Sequence, residues 1–193
     1  MIFKETKLPG AFVIEPEKIE DERGFFARAW CKEEFAAHGL EPRFVQFNLA
    51  GSEKAGTLRG LHYQAPPHQE ARLVRCTKGA IYDVIVDLRS DSPMRGQWIG
   101  TELTARNHRM LYIPAGFAHG YQTLADHSEV FYSVTAFYAP EAERGLRYDD
   151  PAFDIEWPRE VQAISEKDRQ WEKYEERSAP GSSISGNAIE ANA

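Results

Sequence analysis

Short runs of β-branched and aromatic residues alternate with turn signals along most of the chain. Gly, Pro, Asp and Ser mark the turns, as at Pro66-Pro67 and Lys78-Gly79. The runs with strand character span residues 44–49, 73–77, 80–88, 98–103, 110–113 and 130–138. Closely spaced short strands are typical of a β-sandwich or β-barrel. Strands do not alternate with long helices, which argues against a doubly wound sheet. The pattern therefore predicts an all-β fold.

The segment TLRGLHYQ, residues 57–64, also has strand character and carries both Arg59 and His62. Alternate side chains of a strand share a face, so a regular strand points these two side chains to opposite sides. If both serve one site, Gly60 marks a bulge or bend that re-aims them. Histidine exchanges protons near neutral pH, and arginine binds phosphate through a fork of donors. The pair indicates proton chemistry on a phosphorylated substrate; the alternative is a histidine hydrogen-bonded within a β core.

Two short helices are predicted beside this β pattern. The first spans residues 32–38 and is stopped by Gly39. The second begins near Ser165 and runs to about residue 174, because Ser165 and Asp168 have the spacing of a capping box. From residue 178 onward the chain is rich in small and polar residues and has little to bury. We therefore expect one domain over residues 1–177 and a disordered tail over residues 178–193.

The charge balance narrows the range of partners. The chain has 193 residues, of which 42% are hydrophobic and 27% charged, and its formal net charge is −7. This charge argues against nucleic-acid binding, so an anionic ligand needs a local basic pocket. The two cysteines, Cys31 and Cys76, form no disulfide framework. The sequence shows no signal peptide and no membrane-spanning run, so we expect a cytoplasmic protein that does not bind membranes.

Six histidines offer candidate chemistry. His38, His108 and His127 lie at a helix end or in polar turns, and we interpret them as surface residues. The other three, His62, His68 and His119, each border a strand that Gly or Pro interrupts.

The motif Pro114-x-Gly116-x-x-His119 resembles the second motif of the cupin superfamily of β-barrels. In metal cupins the first motif supplies a His-x-His pair, but the corresponding stretch here is His62-Tyr63-Gln64. A catalytic metal usually has three protein ligands. His62, His68 and His119 would supply three, although their spacing does not demand it. We therefore expect no metal, and a metal-dependent cupin enzyme is the alternative.

Four further residues have both a structural and a chemical interpretation. Tyr132 lies in mid-strand, either as a half-buried core residue or as a phenol that acts as acid or base. Tyr138 is expected at a strand end, where an exposed ring can stack on a nucleobase. Asp83 lies inside an apolar strand and should be paired if it is buried. Asp168 is either the capping-box acid or a carboxylate that orients a histidine.

Several motifs in a fixed order resemble the dTDP-4-dehydrorhamnose 3,5-epimerases, from about residue 4 to residue 171. The motifs are Asp21-Glu22-Arg23-Gly24-Phe25-Phe26, Arg59-Gly60-Leu61-His62-Tyr63-Gln64, Val86-Asp87-Leu88-Arg89, Ile113-Pro114-x-Gly116-Phe117-Ala118-His119-Gly120, Tyr138-Ala139-Pro140-Glu141, Glu143-Arg144-Gly145 and Ser165-Glu166-Lys167-Asp168. The resemblance implies a cupin-like β-barrel (a double-stranded β-helix, or jelly roll) with a few short peripheral helices. It also implies a homodimer that uses no cofactor and no metal.

The resemblance further implies an isomerase that epimerises a nucleotide-linked 4-keto-6-deoxy sugar at C3, C5 or both. It makes His62 the base, Asp168 the carboxylate that orients this base, and Tyr132 the acid on the other face of the sugar. Arg23 and Arg59 correspond to pyrophosphate clamps, in keeping with the forked grip of arginine on phosphate. Further substrate contacts are implied for Gln46, Asn48, His119, Glu143 and Lys167, and Tyr138 matches a ring that stacks on the nucleotide base.

Three positions depart from the family pattern. Arg72 stands where the family has a lysine that stabilises the enolate oxygen. An arginine keeps the charge and the donors but cannot readily give up a proton. Phe47 and Arg28 stand where the family has acidic residues, and these changes would alter which nucleotide or sugar is accepted. The alternatives are therefore a C3-only or C5-only epimerase of another nucleotide sugar, such as a CDP- or GDP-linked one, and a nucleotide-sugar-binding module without turnover.

Overall fold

A computed structural model describes residues 1–174, so the predicted tail at residues 178–193 lies outside the described part of the chain. The strands, in chain order, are β1 (Ile2–Glu5), β2 (Phe12–Glu15), β3 (Lys18–Asp21), β4 (Gly24–Ala27), β5 (Gln46–Ser52), β6 (Thr57–Gln64), β7 (Arg72–Lys78), β8 (Ala80–Asp87), β9 (Trp98–Thr104), β10 (Met110–Ile113), β11 (Phe117–Thr123), β12 (Ser128–Val134), β13 (Glu143–Gly145) and β14 (Ala163–Ile164). The helices are α1 (Lys32–Ala37), α2 (Glu166–Arg169) and a 3-10 turn at Pro140–Ala142. Within residues 1–174, no helix is long and apolar enough to cross a membrane.

Most of the strands form two sheets that enclose a common core. The first sheet has the order β1-β2-β10-β7-β12-β5, and the second has the order β13-β6-β11-β8-β9, with β14 beside β6. From β5 to β13 the chain crosses from one sheet to the other at every connection except the one between β8 and β9. Strands β3 and β4 form a separate hairpin. The prediction of an all-β fold with a few short helices is confirmed.

The core explains why several strands are apolar on both faces. Side chains from both sheets meet in one buried cluster between them, where β8 contributes Ile81 and Ile85. Its neighbours Val84 and Val86 point the other way, into a second cluster that the segment after β13 covers through Phe153. A third cluster lies outside the first sheet, beneath α1. Burial on both faces removes the simple alternation of an exposed strand.

Strand β6 is irregular at Gly60, as expected if Arg59 and His62 share a site. In the pairing with β11, His62 lies opposite His119 and Arg59 lies opposite Tyr121. Three steps along β6 therefore match two steps along β11, which is a β-bulge. Because the extra residue changes the alternation, Arg59 and His62 both line the same cavity.

Five of the six predicted strands agree closely with the observed bounds, but the last one does not. The predicted strand over residues 130–138 ends at Val134, so placing Tyr138 at a strand end was wrong. Beyond Val134, backbone groups of the chain bind the buried side chain of Gln64 instead of a neighbouring strand. Its Nε2 donates to the Phe137 carbonyl, and its Oε1 accepts from the Ala139 N–H. These side-chain hydrogen bonds draw the chain away from the sheet into a loop.

The first helix is confirmed, with His38 at its C-cap, but the second is shorter than predicted. Helix α2 ends at Arg169 rather than near residue 174. The indole Nε1 of Trp171 donates to the Asp168 carboxylate, and the Tyr174 N–H donates to the Asp150 carboxylate. The contact with Asp150 is a tertiary one, and it holds the residues after α2 outside helical geometry.

We expect Gly60→Ala to destabilise the protein by about 3 kcal/mol, because two penalties of about 1–3 kcal/mol each combine. Gly60 has a φ of +113°, and an added Cβ would lie 2.5 Å from the Gly120 Cα. The matched control is Gly51→Ala, whose Cβ would meet nothing within 4 Å. Urea unfolding followed by circular dichroism measures both variants. Equal stability of the two variants would contradict the assigned role of Gly60.

Candidate active site

Two adjoining cavities of about 500 and 310 Å³ lie among residues of both sheets. His62 and Tyr132 line both of them. The larger also contains Arg59, His119, Lys167 and Asp168, and the smaller contains Gln46, Asn48, Arg72, Tyr138 and Glu143. The structure thus gathers the site residues suggested by the sequence around one continuous cleft, with the exception of Arg23.

A histidine and a buried carboxylate form the closest pair in the cleft. His62 Nε2 lies 2.5 Å from Asp168 Oδ1, and the second oxygen of Asp168 accepts from the Gly60 N–H at 3.3 Å. Burial alone would raise the pKa of Asp168, but the hydrogen bonds from His62, Gly60 and Ser165 outweigh it, and the pKa lies below its ordinary value. Because the carboxylate takes the proton-bearing Nε2, Nδ1 of His62 keeps its lone pair for a ligand.

The capping signal at Ser165 serves this pair rather than the helix alone. Ser165 Oγ accepts from the Asp168 N–H at 3.0 Å, as a helix N-cap does. In a reciprocal capping box the Asp168 side chain would accept from the backbone N–H of Ser165. Here it binds His62 instead. Both sequence interpretations of Asp168 therefore contain part of the answer: its backbone is capped, and its carboxylate orients a histidine.

Tyr132 stands on the opposite wall of the cleft from His62. It belongs to β12 of the first sheet, whereas His62 belongs to β6 of the second. Tyr132 is half-buried and lies opposite Asn48 of β5 in the strand register. A ligand that occupies the cleft between the walls therefore has a histidine on one side and a phenol on the other.

Arg72 links the two sheets through a chain of polar contacts. Its Nε and Nη2 both donate to Glu70 Oε1, at 3.0 and 2.6 Å, and its Nη1 lies 3.1 Å from His119 Nδ1. Arginine can only donate, so Nδ1 of His119 is the acceptor and the ring proton lies on Nε2. That nitrogen is 2.9 Å from Asp83 Oδ1, although the N–H does not point directly at the oxygen.

Asp83 is fully buried and lies against the His119 ring, but neither of its oxygens accepts a well-aligned hydrogen bond, so the expected pairing is met in distance alone. Burial raises the pKa of the Asp83 carboxyl, and the neighbouring His119 acts against this rise. The side chains of Arg72 and Glu70 are 13% and 9% exposed, so water screens their ion pair only weakly. This line of groups fixes the guanidinium direction before any ligand binds.

A second polar cluster surrounds Glu143 at the rim of the smaller cavity. Lys167 Nζ and the Tyr138 hydroxyl each lie 2.6 Å from Glu143 Oε2. Burial would raise the pKa of Glu143, but these two hydrogen bonds outweigh it and hold that pKa below its ordinary value. The same contact raises the pKa of the Tyr138 hydroxyl. The Tyr138 ring is exposed, so a planar group such as a nucleobase can stack on it.

The remaining positions differ in how they reach the cleft. Gln46 and Asn48 point inward from β5 and are joined by a hydrogen bond of 2.8 Å. Arg59 is exposed at the cleft, where its Nη2 donates to the Gly51 carbonyl. It keeps further donors for an anion.

Three positions named from the sequence lie outside both cavities within one copy of the chain. Arg23 is at the tip of the β3–β4 hairpin, with a side chain that is 84% exposed and bound to Asp21. Arg28 is exposed and forms an ion pair with Glu34. Phe47 points outward from β5 and packs near Phe131. The proposed contacts of these residues with substrate stay predictions.

The three histidines considered as metal ligands do not converge. His68 is exposed, near Glu141, whereas His62 and His119 are each held by a buried aspartate. Within residues 1–174, no three His, Cys, Asp or Glu side chains are grouped as metal ligands would be. Of the expected surface histidines, His38 and His127 are exposed and His108 is half-buried.

Two residues at the site were not found from the sequence. Glu70 precedes β7, and its spacing of two from Arg72 was the available signal, since side chains two apart share a face in extended chain. Trp171 contacts both members of the His62–Asp168 pair, at the end of the predicted second helix. Nothing in the local sequence indicates that contact, because it depends on where α2 docks.

Comparison with known proteins shows which family has this sequence and fold. The family model for dTDP-4-dehydrorhamnose 3,5-epimerase matches residues 5–176. A dTDP-4-dehydrorhamnose 3,5-epimerase of Methanothermobacter thermautotrophicus is 46% identical over 177 residues, covering 90% of this chain and 95% of that protein. The Bacillus anthracis epimerase, solved with TDP and PPi bound, is 42% identical with a TM-score of 0.87, covering 90% of this chain and 99% of that one.

A further solved structure carries a sugar nucleotide. The dTDP-6-deoxy-D-glucose-3,5-epimerase of Legionella pneumophila, in complex with dTDP-4-keto-L-rhamnose, is 40% identical with a TM-score of 0.80, covering 86% of this chain and 89% of that one. Fold, site and relatives together define a cupin-like jelly-roll epimerase, an isomerase that acts on a carbohydrate. The chain belongs to the dTDP-4-dehydrorhamnose 3,5-epimerase family. The resemblance drawn from the sequence motifs is thereby confirmed.

Proposed function

We propose that this protein epimerises a dTDP-linked 4-keto-6-deoxy sugar by removing a proton beside the ketone and returning one to the opposite face. The observation that carries the proposal is the His62–Asp168 pair on one wall of the cleft with Tyr132 on the other. The nucleotide and sugar classes rest on the relatives, which were solved with TDP or with dTDP-4-keto-L-rhamnose bound.

We assign the removal of the proton from the sugar to His62. A ketone at C4 acidifies the C–H bonds at C3 and C5, so a base of neutral-pH strength can act on them. Among residues 1–174, Nδ1 of His62 has no hydrogen-bond partner, while Nε2 is held by Asp168. The buried carboxylate fixes the ring orientation and stabilises the imidazolium that forms when the proton arrives.

Stabilisation of the enolate oxygen is assigned to Arg72, whose guanidinium His119 helps to orient. Positively charged, preoriented donors stabilise negative charge that develops in a transition state. Glu70 holds the guanidinium by two of its nitrogens, and the third contacts His119, so the group does not need to reorganise during the reaction. Arg72 is proposed to act through charge and hydrogen bonding alone, because a guanidinium does not give up its proton.

We assign the return of a proton to the enolate carbon to Tyr132. Inversion at carbon requires that the departing and arriving protons lie on opposite faces of the enolate. Because β6 and β12 belong to opposite sheets, the histidine and the tyrosine approach a bound sugar from two sides. Gln46 and Asn48 lie on β5, next to Tyr132 of β12, and are proposed to bind the sugar hydroxyls.

The nucleotide part is assigned to the outer residues of the cleft. Arg59 and Lys167 supply positive charge for the pyrophosphate, against an overall charge of −7. The exposed ring of Tyr138 is proposed to stack on the base, with its hydroxyl held by Glu143. Arg23 lies outside the cleft of its own chain, so its role as a clamp requires the β3–β4 hairpin to reach the cleft of a second copy.

We expect the protein to wash deuterium from D₂O into C3, C5 or both of a dTDP-linked 4-keto-6-deoxy sugar, and His62→Ala to abolish this exchange. NMR identifies the labelled carbons and the configuration of the product, and so separates double from single epimerisation. The matched control is His68→Ala, an exposed histidine outside both cavities, which should exchange at the normal rate. Absence of exchange with dTDP-, CDP-, GDP- and UDP-linked substrates would refute an epimerase function.

Replacing Arg72 should separate charge from proton transfer. Arg72→Met should lower the exchange rate by about 100- to 1,000-fold, the range for loss of an oxyanion donor. Arg72→Lys keeps the charge and should stay within about tenfold of the unsubstituted protein. Arg95→Met, at an exposed arginine away from the cleft, is the control and should have no effect. An Arg72→Met variant with normal exchange would show that the enolate is stabilised by other groups.

A homodimer is proposed on the outer face of the first sheet. Leu49 and Phe131 lie opposite each other in the β5–β12 register, and with Phe47 they expose 64%, 37% and 61% of their surfaces. These residues form an apolar patch at an edge strand, beside an apolar hollow of about 420 Å³. Contiguous exposed apolar surface of this kind marks an interface. A second copy would cover the patch and the edge together.

Sedimentation velocity should give a mass of about twice 21.9 kDa at micromolar concentration. Leu49→Glu should shift the protein toward the single-chain mass, because it places a charge within the apolar patch. Arg106→Glu changes the charge of an exposed residue away from the patch and should leave the dimer intact. An unsubstituted protein that sediments as one chain would rule the dimer out.

A further inference from the structure

We propose that Trp171 is a positioning residue of the epimerase reaction, which holds the Asp168 carboxylate and the His62 ring in their working orientation. The inference rests on the proposed roles of His62 and Asp168. Trp171 lines neither cavity, so it does not contact a ligand that occupies them. Its influence on the reaction would pass through the pair behind the cavity wall.

The indole N–H binds the same carboxylate oxygen as the histidine. Trp171 Nε1 donates to Asp168 Oδ1 at 3.3 Å, and His62 Nε2 lies 2.5 Å from that oxygen. The other oxygen accepts from the Gly60 N–H. With donors on both oxygens, the carboxylate cannot rotate without breaking a hydrogen bond. A donor that shares Oδ1 also draws negative charge away from His62.

The indole ring of Trp171 packs closely against residues around the His62–Asp168 pair. The ring meets His62 edge-on, with centroids 6.3 Å apart and an interplanar angle of 67°. On another side it lies against Gly145, which pairs with His62 across β13 and β6. A Cβ at Gly145 would lie 2.2 Å from the indole, so only the absence of a side chain lets the ring approach. Lys167 Nζ lies 5.6 Å from the ring centroid.

The charged and titratable groups around His62 define what removal of the indole N–H changes. They are Asp168 and Lys167 of α2, Glu143 of β13, Arg59 and Tyr63 of β6, Arg72 of β7 with Glu70 before it, His119 and Tyr121 of β11, Tyr132 of β12, and Tyr138. Of these, Asp168 is the one that the indole N–H touches. Without that donor, more of the carboxylate charge acts on His62 and favours its protonated form. The base is then occupied by a proton up to a higher pH.

The test is Trp171→Phe, which keeps an aromatic ring and removes the N–H. We expect kcat to fall about threefold to tenfold, as for loss of one hydrogen bond, with KM unchanged. The acid limb of the pH profile of kcat/KM should move to higher pH by about half a unit. Gly145→Ala should reproduce both changes without altering Trp171, because the added Cβ displaces the indole.

Trp157→Phe is the matched control, since it removes an indole N–H that donates to the Tyr148 carbonyl instead. It should leave kcat, KM and the pH profile unchanged. Thermal unfolding of each variant confirms that it is folded. If the unsubstituted protein exchanges deuterium but Trp171→Phe keeps its kcat and acid limb, the positioning role is overturned while the epimerase function stands. A rise in KM without a change in kcat would also overturn it. Absence of exchange in the unsubstituted protein would instead count against the epimerase function.

Discussion

The contact between the buried Asp168 carboxylate and His62 is the interaction on which the site depends. It joins α2, near the end of the described chain, to β6 in the middle of the second sheet. A buried carboxylate is costly unless it is paired and hydrogen-bonded, and here Gly60 and Trp171 donate to it as well. The docking of a four-residue helix and the orientation of the His62 ring are therefore a single structural requirement.

The two-sheet architecture supplies the geometry that inversion of a carbon centre needs. Residues of the first sheet and residues of the second meet across the cleft, so a ligand has protein groups on both faces. Arg72 and His119 are joined across the same gap, with Glu70 at one end and Asp83 at the other. These contacts fix the position of the Arg72 guanidinium relative to both walls of the cleft. The Arg72 guanidinium is thus held between a carboxylate and an imidazole.

Much of the fold could be predicted because strands, turns and caps are local features. Five strands, the first helix and the Ser165 cap follow from short-range patterns and agree with the structure. The two errors, at Val134 and Arg169, occur where a distant side chain replaces backbone partners. Gln64 does so for the loop before Ala139, and Asp150 does so for Tyr174 after α2. No local pattern encodes those partners.

The sequence by itself determined the class of fold, the family and the residue types of the site, because ordered motifs carry that information without coordinates. It also indicated that, if Arg59 and His62 serve one site, Gly60 breaks the alternation of β6. Only the tertiary structure decided that Asp83 lies against His119, that Trp171 touches the His62–Asp168 pair, and that Arg23 and Phe47 lie outside the cleft of their own chain. Those outcomes depend on long-range packing of sheets and helix, in which residues far apart in the chain meet.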